Sequence, residues 1–165
     1  MKHLNQVFER LDYDYSIFTL PDFTDQVAGF VRKEILLIPR PLEKTLSGIW
    51  VHQQTGHYVF YNNHLHIILQ FHAILHEMAH IILEHKPKPV DHYLNDDILK
   101  EYNLTNPVGK ARTNPQGNVG DDEEQEAEEF VFLIQNQLIH LNRSSELFGD
   151  NQIATGLRQF TKILE

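Results

Sequence analysis

Apolar positions recur at helical spacing at the start of the chain. Leu4, Val7, Phe8 and Leu11 share one side of a helix over residues 1–11. Asp12-Tyr13-Asp14-Tyr15 ends that run. Pro21 and Asp22 open a second helical stretch over 22–33, with Phe23, Val27, Phe30 and Val31 facing inward. The period then falls to two. Residues 35–38 read as a strand closed by Pro39-Arg40-Pro41. Residues 48–52 and 57–61 alternate across the short Gly-containing turn at 53–56, so they form a hairpin, ended by Asn62-Asn63.

A long apolar stretch follows, from Asn63 or His64 to His85, with Asn62 or Asn63 as its cap and Lys86-Pro87-Lys88-Pro89 as its stop. No Gly or Pro interrupts it, so a single buried helix is expected. Residues 87–120 carry the densest Pro and Gly and read as a loop insertion. It includes a short helix near 96–102 and a mobile loop over 105–120. Helical spacing returns near Asp121, with Ala127, Phe130, Val131, Ile134, Leu138 and Leu141 inward. A last helical stretch starts at Ser144 or Ser145, with Gly149-Asp150 as a candidate interruption, and has Ile153, Leu157, Phe160, Ile163 and Leu164 on its apolar face. These elements predict one α+β domain over 1–165, in which a small, mainly antiparallel sheet packs against a helical core.

Composition narrows the chemistry. The chain has no Cys, which excludes disulfides and thiolate metal sites. A formal charge of -9 argues against nucleic acid as a direct partner, because phosphate binding needs a basic stripe. The first residues lack the apolar run of a signal peptide, and no apolar run approaches membrane-spanning length, so a cytoplasmic protein is expected. Seven of the nine residues from Asp121 to Glu129 are acidic. Most of them read as a solvated face that complements the helix dipole.

The long helix contains His76-Glu77-Met78-Ala79-His80, the pattern H-E-x-x-H. Residues four apart lie one turn apart and about 40° around a helix axis. Two imidazoles so placed can close on one tetrahedral Zn²⁺, with Glu77 positioned as general base toward water. His72 extends the ladder, but three ligands along one straight helix cannot converge on one ion, so His72 reads as support. The remaining ligand must be His, Glu or Asp. The acidic helix is the obvious donor. Glu126, beside the small Ala127, is the first choice, with Glu123 and Glu129 as alternatives. Tyr58, Tyr61, Tyr93, Tyr102 and His140 are candidates to stabilise an oxyanion.

Residues 74–80, Ile-Leu-His-Glu-Met-Ala-His, followed by Glu124-Gln125-Glu126-Ala127-Glu128-Glu129-Phe130-Val131, resemble the ImmA/IrrE metallopeptidase family. The resemblance covers roughly residues 35–134. It implies Zn²⁺ on His76, His80 and Glu126, with Glu77 activating water. It further implies an endopeptidase acting on a protein substrate, often a helix-turn-helix transcriptional repressor. The chain departs from the family pattern at Ala79 (usually Gly), Glu128 (usually Asn) and Val131 (usually Ala). Those departures motivate an alternative, a catalytically inactive module that binds a regulator or toxin. In a third reading His76 and His80 are core residues and no metal binds.

Overall fold

A computed structural model of the chain describes residues 2–113 and 121–149. The expected last helix beyond residue 149 lies outside the described residues. Helix α1 (Lys2–Leu11) buries Leu4, Val7 and Leu11. A 3₁₀ turn at Tyr15–Ile17 leads to helix α2 (Leu20–Val31). Thr19 caps α2 by accepting from the Asp22 N–H, and Pro21 sits in its first turn, where a missing N–H costs nothing.

Strands β1 (Glu34–Arg40), β2 (Leu46–His52) and β3 (Gly56–Asn62) follow. β2 and β3 form the expected antiparallel hairpin, with Trp50 opposite Val59. β1, however, runs parallel to β3 from Glu34↔Gly56 to Arg40↔Asn62. Region 87–113 is also more ordered than its Pro and Gly content suggests. β4 (Lys88–Pro89), a 3₁₀ turn at Asp91–Tyr93, helix α4 (Asp96–Glu101) and β5 (Val108–Thr113) occupy it. β5 pairs with both β2 and β4, giving a five-stranded sheet in the order β1-β3-β2-β5-β4. The sheet is therefore mixed but mostly antiparallel, and the fold is α+β.

Strand periodicity sends alternate residues to opposite faces. Ile49, Val51, Phe60 and Ala111 face one side and pack with Val90, Leu94, Ile98 and Leu104 around α4. Trp50 and Val59 face the other side, joining α1, α2 and the two long helices. These are α3 (Ile67–Ile82) and α5 (Asp122–His140); a short α6 (Arg143–Phe148) follows. Asn62 Oδ1 accepts from the His64 N–H, and the cap of α3 itself is His66, whose Nδ1 accepts from the Ile68 N–H. The expected Asn cap is thus displaced to the preceding turn. α3 lies between the sheet and α5 and is buried on all sides from Phe71 onward. Among the described residues no helix is long and apolar enough to cross a membrane.

Candidate metal centre

α3 carries four polar side chains into this interior. His76, Glu77 and His80 are each at most 1% exposed, and His72 is 9% exposed. A helix this apolar tolerates them only where partners or function compensate. α5 supplies most of the partners, because its first turns lie against the last turns of α3.

The side chains of His76, His80 and Glu124 converge. Glu124 Oε2 lies 3.0 Å from His76 Nε2, and Glu124 Oε1 lies 3.3 Å from His80 Nε2. The two Nε2 atoms are 3.1 Å apart. A tetrahedral ion with bonds of about 2.0–2.1 Å has ligand-to-ligand edges of about 3.3 Å. One ligand atom from each of the three residues lies within 4.8 Å of the other two, and this buried group could hold a metal ion. The donors are two imidazoles and a carboxylate, a set suited to a first-row divalent ion.

The third member is Glu124, not the expected Glu126. Glu126 is 45% exposed, and its Oε2 lies 3.0 Å from His85 Nε2, whereas Glu124 is 14% exposed. The rivals also go elsewhere. Glu123 accepts from the Lys86 N–H (3.1 Å) and the Lys110 ammonium (2.6 Å). Glu129 is exposed and accepts from Gln125. Successive residues of a helix point 100° apart, so packing of α5 against α3 selects which carboxylate enters, and spacing from Ala127 does not. The acidic run is also not chiefly a solvated face. Glu128 lies 3.0 Å from His72 Nε2 and 3.0 Å from Arg112 Nη2. Its Oε1 lies 2.8 Å from His76 Nδ1, at ion-pair distance without hydrogen-bond geometry. Asp121 accepts from the Glu123 N–H as the α5 cap.

The sheet forms the opposite wall. The Trp50 ring stacks on His80, with 6.4 Å between centroids and 9° between planes. Trp50 Nε1 donates to His57 Nδ1 at 3.0 Å. Register places Lys110 beside Trp50 and Arg112 beside Gly48, on this same face. A Cβ at Gly48 would stand 3.1 Å from Glu77 Cγ and 3.3 Å from Glu77 Oε1, so glycine makes the room that Glu77 occupies. Among the described residues neither Glu77 oxygen makes a well-formed hydrogen bond, although the Trp50 backbone N–H approaches the carboxylate and stabilises its charge.

Environment separates these groups electrostatically. Burial pushes the Glu77 pKa up to about 8, with the nearby His76 opposing. For His76 burial disfavours the charge, but Glu124 and Glu128 outweigh it and raise the pKa to about 9. For His80 burial wins over Glu124, and the pKa falls to about 4. Burial likewise opposes the charge of Glu124, yet contacts with His76 and His80 hold its carboxyl well below the usual range.

No protein-family model, curated protein or solved structure matches this chain.

Of the five residues expected to serve an oxyanion, Tyr93 alone lines the cavity of about 240 Å³ that opens beside Glu124. Tyr58 and Tyr102 pack on the other face of the sheet, and Tyr61 joins the apolar wall near Phe18 and Phe71. His140 is exposed at the far end of α5, roughly 24 Å along the helix from Glu124. Sequence reasoning passes over Gly48, Trp50 and Arg112 as parts of the site and reads His85 as an ordinary surface or boundary histidine, whereas it is buried at 6% exposure against His80. Their roles depend on contacts between elements far apart in the chain, and no local pattern marks them.

Proposed function

We propose that the protein is a zinc-dependent endopeptidase of the ImmA/IrrE type, with His76, His80 and Glu124 holding the ion and Glu77 acting as general base. The observation that carries this reading is the convergence of His76, His80 and Glu124 beside a fully buried carboxylate, Glu77, that makes no well-formed hydrogen bond. Such a carboxylate costs stability unless it has a task. Two imidazoles and one carboxylate with no thiolate match the donor set of catalytic zinc peptidases. A bound zinc ion supplies the Lewis acidity that acidifies water and polarises a carbonyl.

The chain's own residues do the rest. Glu77 takes a proton from the attacking water as its oxygen bonds to the scissile carbon. The C–N bond then breaks, and Glu77 gives that proton to the leaving nitrogen. Tyr93 shares a cavity wall with Glu124 and is the candidate in this reading for donating to the developing oxyanion. The cavity beside Glu124 also meets β4 and β5, whose backbone can line an extended peptide. The substrate class is protein, and the family resemblance points to a helix-turn-helix repressor supplied as a separate molecule.

The test is cleavage of a candidate repressor by the zinc-loaded protein and by Glu77→Gln. Glu77→Gln is expected to bind zinc as well as wild type and to lose about 10²–10⁴-fold in rate. Zinc-dependent cleavage at the wild-type rate in Glu77→Gln would remove Glu77 from its role.

A further inference from the structure

The C-terminus of α3 folds back on the site. The His85 N–H donates to the His80 carbonyl at 3.0 Å, and the Glu84 N–H donates to the Ile81 carbonyl at 3.2 Å. Glu84 takes the left-handed conformation, with φ 55°. This is the Schellman closure of a helix end, and it is made here without glycine. Its consequence is that the His85 side chain turns inward. His85 is 6% exposed, and its Nδ1 lies 2.8 Å from His80 Nδ1. On its far side His85 Nε2 lies 3.0 Å from Glu126 Oε2.

Proton positions along this row follow from its outer end. A carboxylate only accepts, so the Nε2 of His85 carries a proton. With one proton on each imidazole, the state the measurement below reads, His85 presents a bare Nδ1. The 2.8 Å contact between the two Nδ1 atoms needs one proton, and it must sit on His80. A neutral His80 protonated at Nδ1 leaves Nε2 bare to accept from the His76 Nε2–H at 3.1 Å. The same N–H satisfies Glu124 Oε2 at 3.0 Å, while Glu124 Oε1 meets His80 Nε2 only at 3.3 Å, without hydrogen-bond geometry. We infer that Glu126, His85 and His80 form a relay in which the half-buried carboxylate of Glu126, acting through His85, fixes the tautomer of His80 and so readies Nε2 as a ligand atom. Glu126 and His85 are positioning residues in this scheme, two contacts and one contact removed from the ligand triangle. An outer partner of this kind orients a ligating imidazole and raises its basicity. Here the partner is a second histidine interposed before the carboxylate. The consequence for affinity rests on the reading of the triangle as a metal site; the tautomer of His80 does not.

Two measurements on the full chain test the relay. Long-range ¹H–¹⁵N spectra of metal-free protein at pH 8 read the tautomers directly. His80 is expected to be protonated at Nδ1 and His85 at Nε2, with the His80 pattern lost in Glu126→Ala and restored in Glu126→Gln, whose amide oxygen still accepts. A wild-type His80 protonated at Nε2 overturns the relay. Zinc affinity, measured by competition with a chelator, reads the consequence. His85→Phe is expected to weaken binding about 10–100-fold. Glu126→Ala is expected to fall between that variant and wild type, and Glu126→Gln to stay near wild type. Glu126→Ala alters a half-exposed side chain outside the core, so it keeps the test open if His85→Phe does not fold. Wild-type affinity in both Glu126→Ala and His85→Phe overturns the role in binding. If wild type itself takes up no zinc, the metal reading fails, and the tautomer spectra still decide the relay.

Discussion

Two walls enclose α3, and they are built on opposite plans. α5 meets it with carboxylates: Glu124 on His76 and His80, Glu128 on His72, and Glu126 on His85. β2 meets it with a glycine, a tryptophan and apolar surface. His76 and Glu77 are neighbours in sequence, yet the 100° step of the helix sends them to different walls. The α5 wall stabilises charge, so the pKa of His76 rises to about 9. Burial against the sheet destabilises the charge of Glu77, so its pKa rises to about 8, although His76, Arg112 and the Trp50 backbone oppose the shift. One helix turn therefore produces an electropositive pole and a poised carboxyl group without any change of backbone geometry. His76 and His80, which share one ordinary value, are pushed apart to about 9 and about 4, and titratable groups separated by environment in this way recur in acid–base catalysis.

Removing the acid wall at its centre has the largest expected consequence. Glu124→Ala deletes the only carboxylate in the ligand triangle among the described residues. Its loss is expected to weaken metal binding by well over the roughly 100-fold typical of an outer partner. Metal content after dialysis, compared among Glu124→Ala, Glu123→Ala and Glu129→Ala, checks this. The last two are expected to retain metal, since Glu123 is held by Lys86 and Lys110 and Glu129 faces solvent. Full occupancy in Glu124→Ala would dissolve the contrast between the walls.

Filling the sheet wall is the next largest. Gly48→Val would push methyl groups toward Glu77, where even a Cβ already stands within 3.1–3.3 Å of its side chain. Overpacking of this kind costs about 1–3 kcal/mol. Urea titration should show that loss in Gly48→Val. A smaller loss is expected when Glu77→Ala is combined with it, because the truncated side chain vacates the contested space. Additive costs in the double variant would mean that Gly48 does not make room for Glu77.

The contrast between the walls also explains what could be read from the sequence. α3 was legible because its message is local. An uninterrupted apolar run predicts burial, and i, i+4 histidines with an intervening Glu predict a site whatever else surrounds them. The hairpin 48–61 was legible for the same reason, through alternation and a turn. The acids of α5 were not. Five Glu between 123 and 129 offer nearly equal candidates, and the choice of Glu124 is made by the angle at which α5 meets α3, a long-range quantity. β5 was missed because its buried positions are Gly109, Lys110 and Ala111. A buried Lys reads as loop until its partner Glu123 is known. β1 was recognised as a strand, but its parallel pairing with β3 depends on a crossover through β2 that periodicity does not encode.

The smallest effect concerns how the sheet wall holds Trp50 against His80. His57 is buried, and burial, followed by the influence of His52 and Lys33, lowers its pKa to about 4. It is therefore neutral in the folded protein near pH 6, where it accepts the Trp50 Nε1–H. In the unfolded chain a histidine titrates near 6.5. Between those two values the unfolded state binds the proton that the folded state refuses. Stability from this group is thus present above about pH 6.5 and is lost as pH falls toward 4. Part of the shift is screened by solvent, so the expected loss is about 1–2 kcal/mol. His57→Gln keeps an acceptor for Trp50 and removes the titration. Urea midpoints at pH 7 and pH 5 should converge more closely in that variant than in wild type. An equal drop in both proteins would place the acid sensitivity elsewhere, and the sheet wall would then owe its neutrality to apolar packing alone.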